Sequence, residues 1–106
     1  MHFISAKIIR FVDNHQPGWV ECEFSDADGR RHILTDKVPI FTDEMLDADN
    51  EYPTSGKIPC EVLNRFQDGT GQHLASVSTD KPCCIESAEG LSEFIIPVSL
   101  LTSTPD

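Results

Sequence analysis

Residues 20–35 read V-E-C-E-F-S-D-A-D-G-R-R-H-I-L-T, and this stretch decides the fold class. Apolar and acidic residues alternate over its first five positions: Val20, Glu21, Cys22, Glu23 and Phe24. A period of two is typical of a strand that buries one face. Asp26–Gly29 then supplies a tight turn, because Asp and Gly tolerate the positive φ that hairpin turns require. The stretch therefore predicts an antiparallel hairpin whose second strand runs over Arg31–Thr35.

The rest of the chain repeats this pattern of short apolar segments separated by Gly, Asp and Pro about every ten residues. Further strands are predicted at 3–12, 58–66, 73–79, 83–87 and 94–101, with turns at 13–18 and 68–71. So many short strands favour closure, because a closed sheet has no exposed edges. The predicted fold is all-β: a small six- or seven-stranded antiparallel barrel with a short irregular acidic loop.

Three local features refine this prediction. Segment 3–12 is apolar on both faces, which indicates burial on both sides or a bulge. Pro59 indicates an edge position or the first residues of its strand. Thr42 is placed to cap a single helical turn over Asp43–Leu46, since its hydroxyl can accept an orphan amide and acids suit the positive end of a helix.

Length and composition predict one domain over 1–101 and a flexible tail over 102–106. The chain has 106 residues, 39% of them hydrophobic and 25% charged, which is enough apolar material for a real core. No apolar run approaches the ~20 residues that cross a bilayer, and the first twelve residues lack a signal-peptide core. The expected location is the cytoplasm, where the four cysteines stay reduced and serve mostly as small core residues.

The charge balance argues against nucleic acid as a partner. Asp and Glu number 18 against 8 Lys and Arg, for a net charge of -10. Nucleic-acid binding needs a basic track with exposed aromatic side chains. The one basic cluster, Arg30-Arg31-His32, is flanked by acids and is interpreted as a solvated hairpin rim.

Metal sites are weakly indicated. Asp26-x-Asp28-Gly29 and Asp47-x-Asp49-x-Glu51 have the carboxylate spacing of calcium loops, but neither has the later glycine and bidentate glutamate. The first is interpreted as turn chemistry and the second as a solvated acidic loop, with weak divalent binding at 43–51 left open. For zinc, the histidines and cysteines are scattered apart from Cys83-Cys84, which on a strand would point to opposite faces. We expect no metal and no cofactor.

No signature of nucleophilic or acid–base catalysis is present, so a non-enzymatic protein is expected. The remaining feature is the segment 42–51, T-D-E-M-L-D-A-D-N-E. Its acids surround an apolar pair, as in an interface that docks a basic protein. The predicted partner-binding residues are Asp43, Glu44, Met45, Leu46, Asp47, Asp49, Glu51 and Tyr52, together with Glu21, Glu23 and Glu61 from the strands.

This hypothesis describes a binding protein for a basic partner, such as a bacterial immunity or inhibitor protein. Two alternatives stay open. The acids could serve solubility alone, since a net charge of this size also keeps a small protein soluble. The chain could instead be an accessory or small-ligand-binding barrel, whose ligand would contact Trp19, Tyr52 and His73.

Overall fold

The structure is a computed structural model that describes residues 1–13 and 18–104. Its strands are β1 (His2–Asp13), β2 (Trp19–Ser25), β3 (Arg31–Lys37), β4 (Thr54–Gln67), β5 (His73–Ser78), β6 (Glu93–Pro97) and β7 (Leu101–Ser103). A short helix α1 (Val38–Phe41) follows β3, and a 3₁₀ turn over Val98–Leu100 precedes β7. The predicted all-β class is confirmed. The predicted turn at 13–18 falls mainly on residues 14–17, outside the described part of the chain.

The β2–β3 hairpin is antiparallel and turns at Asp26–Gly29, as predicted. Trp19 pairs with Lys37 at one end and Ser25 with Arg31 at the other. In the turn, the N–H of Asp26 donates to the Arg30 carbonyl at 2.8 Å, and Gly29 has a φ of +81°. The alternation therefore translates directly into a strand pair with one face in the core.

The strands form one curled sheet in the order β3-β2-β1-β4-β5-β6, and β7 adds to β1. β4 joins the two halves of the sheet, because residues 54–60 pair with β1 while residues 61–67 pair with β5. The ladders between neighbouring strands are antiparallel. The result is a half-barrel of six strands that lie side by side, and β7 is the seventh strand.

Closure of the barrel is not confirmed. Within the described residues no ladder joins β3 to β6, and contact between these two ends is sparse. A bridge pairs Leu34 with Ser87, and the N–H of Ala27 donates to the Ile95 carbonyl at 2.8 Å. The segment 79–92, which we call the strap, lies beside β3, where the N–H of Ala88 donates to the Ile33 carbonyl at 2.8 Å.

The predicted helical turn over Asp43–Leu46 is wrong. The helical turn lies five residues earlier, over Val38–Phe41, because Val38 and Phe41 are spaced so that both side chains enter the core. Thr42 ends this helix instead of beginning one. Its hydroxyl does accept an amide, the N–H of Glu44 at 3.1 Å.

The predicted strand at 83–87 is also wrong. These residues belong to the strap, where only Ser87 makes a strand-like bridge. The turn that begins at Asp80 extends further than expected, because the N–H of Cys84 donates back to the Asp80 carbonyl at 2.7 Å. Cys84 has a φ of +53°, which no regular strand allows.

β4 begins at Thr54, earlier than the predicted Ile58. Gly56 therefore lies inside the strand and packs directly on Ile8 of β1. Pro59 is not among the first residues, but it does occupy a local edge: it pairs with Phe3 on one side, and pairing with β5 begins only at Glu61. The missing N–H of proline is tolerated there.

The core lies inside the curve of the sheet, under α1 and the strap. β1 contributes to it despite a register shift between Ile8 and Arg10, which confirms the predicted bulge. The fully buried apolar side chains include Ile4, Ile8, Val20, Leu34, Phe41, Ile58, Val77, Ile85 and Ile96.

The chain end described by the structure is paired. Thr102 and Ser103 lie opposite Phe3 and His2 in the β7–β1 ladder, within the segment 102–106 predicted as a tail. Residues 105–106 lie outside the described part. Among the described residues, no helix has both the length and the apolar character to cross a membrane.

Candidate functional site

The segment 42–53 connects α1 to β4 without helix or strand, and we call it the acidic loop. Two of its side chains fix it to the body of the protein. Leu46 packs against the hydrophobic core, and the Tyr52 hydroxyl donates to the Asp47 carbonyl at 2.7 Å. Burial and the nearby Asp47 carboxylate raise the pKa of Tyr52, so this hydroxyl remains a donor.

A compact turn forms the tip of the acidic loop. The Asp47 carboxylate accepts the N–H of Asp49 at 2.9 Å, and the Asn50 side-chain oxygen accepts the N–H of Asp47 at 2.8 Å. Such side-chain bonds to the local backbone are the usual turn chemistry of Asp and Asn. Asp47 therefore has a structural role in addition to its charge.

Among the residues that the structure describes, the carboxylates of the acidic loop have no cationic partner. The ion pairs among the described residues lie elsewhere, and none involves residues 43–51. Asp43, Glu44, Asp49 and Glu51 are all exposed. Their negative charge is therefore available to an approaching molecule.

Met45 is the most exposed large apolar side chain in the described residues, with 96% of its surface open to solvent. The sequence pairs it with Leu46 as a possible apolar anchor, but the structure gives the two residues different roles. Leu46 points into the core and Met45 points into solvent. An exposed methionine between acids is a flexible apolar contact point.

A groove of about 530 Å³ runs beside Met45. Residues of β1 and α1, together with Gly18 just before β2, contribute to its lining: Phe11, Gly18, Val38 and Pro39. The opposite wall is the acidic loop itself, from Thr42 to Asp47. The site thus combines an apolar surface with an acidic wall, and it has the size of a typical binding groove.

The strand acids predicted to join this site do not present free charge to it. Arg10 donates to Glu21 at 2.7 Å, and Arg31 pairs with Glu23. Both glutamates lie opposite the core face of β2, as predicted. Their ion pairs with the neighbouring strands largely neutralise them.

Glu61 lies near the opposite end of the sheet. It follows Cys60, which pairs with His2, whereas the groove is lined by Phe11. β1 runs on the order of 30 Å between those two positions. Glu61 therefore belongs to a different surface from the acidic loop.

The three residues considered for a ligand at a barrel mouth are also separated. Trp19 is half-buried on β2, with the Lys37 Nζ 5.8 Å from its ring centroid. His73 lies on β5, where its ring pairs with the Gln67 side chain at 3.2 Å and lines another groove. Tyr52 lies in the acidic loop, where its hydroxyl donates to the Asp47 carbonyl.

The polar side chains of the β2–β3 turn make hydrogen bonds and ion pairs within the protein. Burial opposes ionisation of Asp26, but bonds from His32 and from the Arg30 and Asp28 N–H groups hold its pKa below the usual value. Arg30 pairs with Glu89 of the strap. This agrees with turn chemistry at Asp26. Within the described residues no group of three or more His, Cys, Asp and Glu side chains is arranged to hold a metal ion.

Sequence reasoning found the acidic wall of the groove but not its apolar lining. Phe11 is more than thirty residues from the acidic loop and reads as an ordinary strand residue. Val38 and Pro39 read as a simple continuation of β3. No sequence signal indicates that these residues meet, because they are distant in the chain and only the tertiary structure brings them to one groove.

Comparisons with protein-family models, with curated proteins and with solved structures found no match to this chain.

Proposed function

We propose that this protein is a non-enzymatic cytoplasmic binding protein. The groove between the acidic loop and its apolar lining docks a basic segment of a partner protein. The observation that carries the proposal is Met45, which is 96% exposed among unpaired carboxylates beside an apolar groove. An apolar contact rimmed by like charges is the arrangement of an interface with an apolar centre and a polar rim.

Charge complementarity defines the partner. Asp43, Glu44, Asp47, Asp49 and Glu51 place five negative charges on one short loop, and nothing within the described chain neutralises them. A partner segment rich in Lys and Arg would be steered toward this loop at low ionic strength. One apolar side chain of that segment would enter the groove against Val38 and Pro39.

The charges at the rim are expected to act mainly on the association rate. Exposed ion pairs contribute little to affinity because both partners stay hydrated. The apolar contact with Met45 and the groove is expected to set the dissociation rate. A cationic toxin or nuclease held by an immunity or inhibitor protein is one partner with this chemistry.

The test uses fluorescein-labelled basic peptides that carry one central Leu, Phe or Trp, measured by anisotropy. In the loop variant, Asp43, Glu44, Asp49 and Glu51 are changed to Lys, while Asp47 stays because its carboxylate holds the turn. The matched control changes Asp28, Glu61, Glu86 and Glu93, which are exposed acids of other surfaces, to Lys. Both variants have the same net charge.

We expect the wild type and the control to bind the peptides, and the loop variant to lose at least tenfold in affinity. Added salt should weaken the binding of the wild type and of the control. Met45→Ala should weaken binding of the peptides without removing its salt dependence. Equal losses in the loop and control variants would mean that only net charge matters. No binding by the wild type, or unchanged binding by the loop variant, would contradict the proposal.

The ligand-binding alternative has less support. Trp19 and His73 lie on β2 and β5, in different halves of the sheet, and the groove beside His73 is lined by Arg65, Phe66 and Val98.

A further inference from the structure

Cys83 and Cys84 form a pair of adjacent free thiols in the turn at the start of the strap. Cys84 is exposed and Cys83 is half-buried. The other two cysteines differ in kind, because burial raises the pKa of Cys22 to about 12 and that of Cys60 to about 11. The turn is therefore where this protein offers thiols to solvent.

The turn that carries the two thiols has a fixed base. The buried Thr79 hydroxyl donates to the Ile85 carbonyl at 2.6 Å, and the N–H of Ile85 donates to the Thr79 carbonyl at 3.0 Å. Inside this base, the N–H of Cys84 donates to the Asp80 carbonyl at 2.7 Å. A ligand that uses both thiols would therefore bind a loop whose backbone is already ordered, which lowers the entropy cost of binding.

The backbone conformation changes what the pair can do. On a strand, adjacent side chains point to opposite faces and cannot grip one atom together. Here Cys84 has a φ of +53° and the pair lies outside the sheet, so that alternation does not apply. Adjacent Cα atoms are about 3.8 Å apart, closer than in an ordinary disulfide. An inserted atom that joins the two sulfurs suits this spacing better than a direct S–S bond.

We propose that Cys83 and Cys84 form a two-sulfur site for a soft, thiophilic centre, with trivalent arsenic as the representative ligand. With phenylarsine oxide, two As–S bonds form while the As–O bond and both S–H bonds break. The oxygen leaves with the two thiol protons as one water molecule. Arsenic stays trivalent, so no oxidant or reductant is needed.

Burial, the Asp36 carboxylate and the neighbouring Cys84 thiol together raise the pKa of Cys83. Each of the two thiols supplies the proton of its S–H bond to the water molecule that leaves. Soft thiolate ligands also prefer soft centres over hard cations such as calcium and magnesium.

The test treats the reduced protein with phenylarsine oxide, adds millimolar glutathione, and measures intact mass followed by peptide mapping. We expect one arsenical per wild-type chain, with loss of one water, on the peptide that contains both cysteines. Cys83→Ser and Cys84→Ser should each lose the adduct in glutathione, because a single thiol exchanges with the competitor. Thermal unfolding of both variants checks that the turn survives the substitution.

An adduct that persists in either single variant would overturn the proposal, since one thiol would then be sufficient. So would a wild-type protein without a glutathione-resistant adduct, or an adduct that maps to Cys22 or Cys60. Met45 and the acidic loop take no part in this site, so the outcome is independent of the docking proposal.

Discussion

His32 is a histidine in the core, and its position shows how one residue joins the two ends of the half-barrel. Its side chain is 3% exposed and packs between Phe24 of β2 and Phe94 of β6, with ring centroids 5.3 and 4.7 Å away. Its Nε2 lies 2.7 Å from an Asp26 carboxylate oxygen, while Nδ1 has no hydrogen-bond partner among the described residues. The bond to Asp26 is therefore the only hydrogen bond that this ring makes among the described residues.

Asp26→Asn is predicted to remove part of the acid sensitivity of the fold. The folded-state pKa of Asp26 is lowered from 3.8, so the stability that its charge provides is present above that pH and is lost as pH falls through the lower folded value. The asparagine variant should be less stable at neutral pH and should lose less stability on acidification. Urea unfolding across pH measures both effects.

Asp28→Asn is the matched control, since Asp28 is an exposed neighbour in the same turn. It should keep the wild-type pH profile. If the Asp26 variant also keeps the wild-type pH profile, the charge of Asp26 does not contribute to the pH dependence of stability, and the prediction is wrong.

At the scale of elements, β4 organises the molecule because it belongs to both halves of the sheet. Its pairing with β1 depends on Gly56, where an added Cβ would lie 2.7 Å from Cγ1 of the buried Ile8. From sequence, Gly56 reads as the end of a chain break after Tyr52-Pro53. Only the pairing of β1 with β4 reveals that the absence of a side chain permits this close approach.

Gly56→Ala is predicted to destabilise the protein by about 1–3 kcal/mol, the usual cost of forcing extra volume into a packed core. Gly69→Ala is the control, because a Cβ there meets nothing within 4 Å. Its effect should be small. Equal stability of the two variants in chemical denaturation would show that β1 and β4 can separate without cost at this point.

The elements also show where local signals succeed. The β2–β3 hairpin was predictable because alternation and an Asp-Gly turn act within a few residues of one another. The strap was not, because Cys83–Ser87 has the apolar composition of a strand while its backbone is fixed by Thr79 and Asp80 in a turn. The helical turn was displaced to Val38–Phe41 because burial of two apolar side chains outweighs a favourable cap.

At the scale of the whole molecule, charge is the dominant property. The 18 acids outnumber the 8 Lys and Arg by 10, so many carboxylates have no cationic side chain to pair with. Such an excess opposes the compact state through self-repulsion. The molecule is also elongated, with a longest dimension of 45 Å, which leaves Glu61 on a surface far from the acidic loop.

Salt is therefore predicted to stabilise this protein. Raising ionic strength to 0.1 M shortens the screening length to about 10 Å, so the thermal midpoint should rise from its low-salt value. The variant with four loop acids changed to Lys should show a smaller rise, because its repulsion is already reduced. A midpoint that is insensitive to salt in both proteins would mean that self-repulsion is negligible here.

The sequence by itself determined the all-β class, the antiparallel hairpin, the acidic character of the loop and the apolar face of each principal strand. These properties follow from residues that are neighbours in the chain, where period and turn chemistry act directly. The tertiary structure decided which acids share a surface, that Met45 is exposed while Leu46 is packed, and that Phe11, Val38 and Pro39 line one groove. It also decided that Cys83 and Cys84 lie in a turn and not in the predicted strand. These outcomes depend on contacts between distant residues, which sheet curvature and burial set and local pattern does not encode.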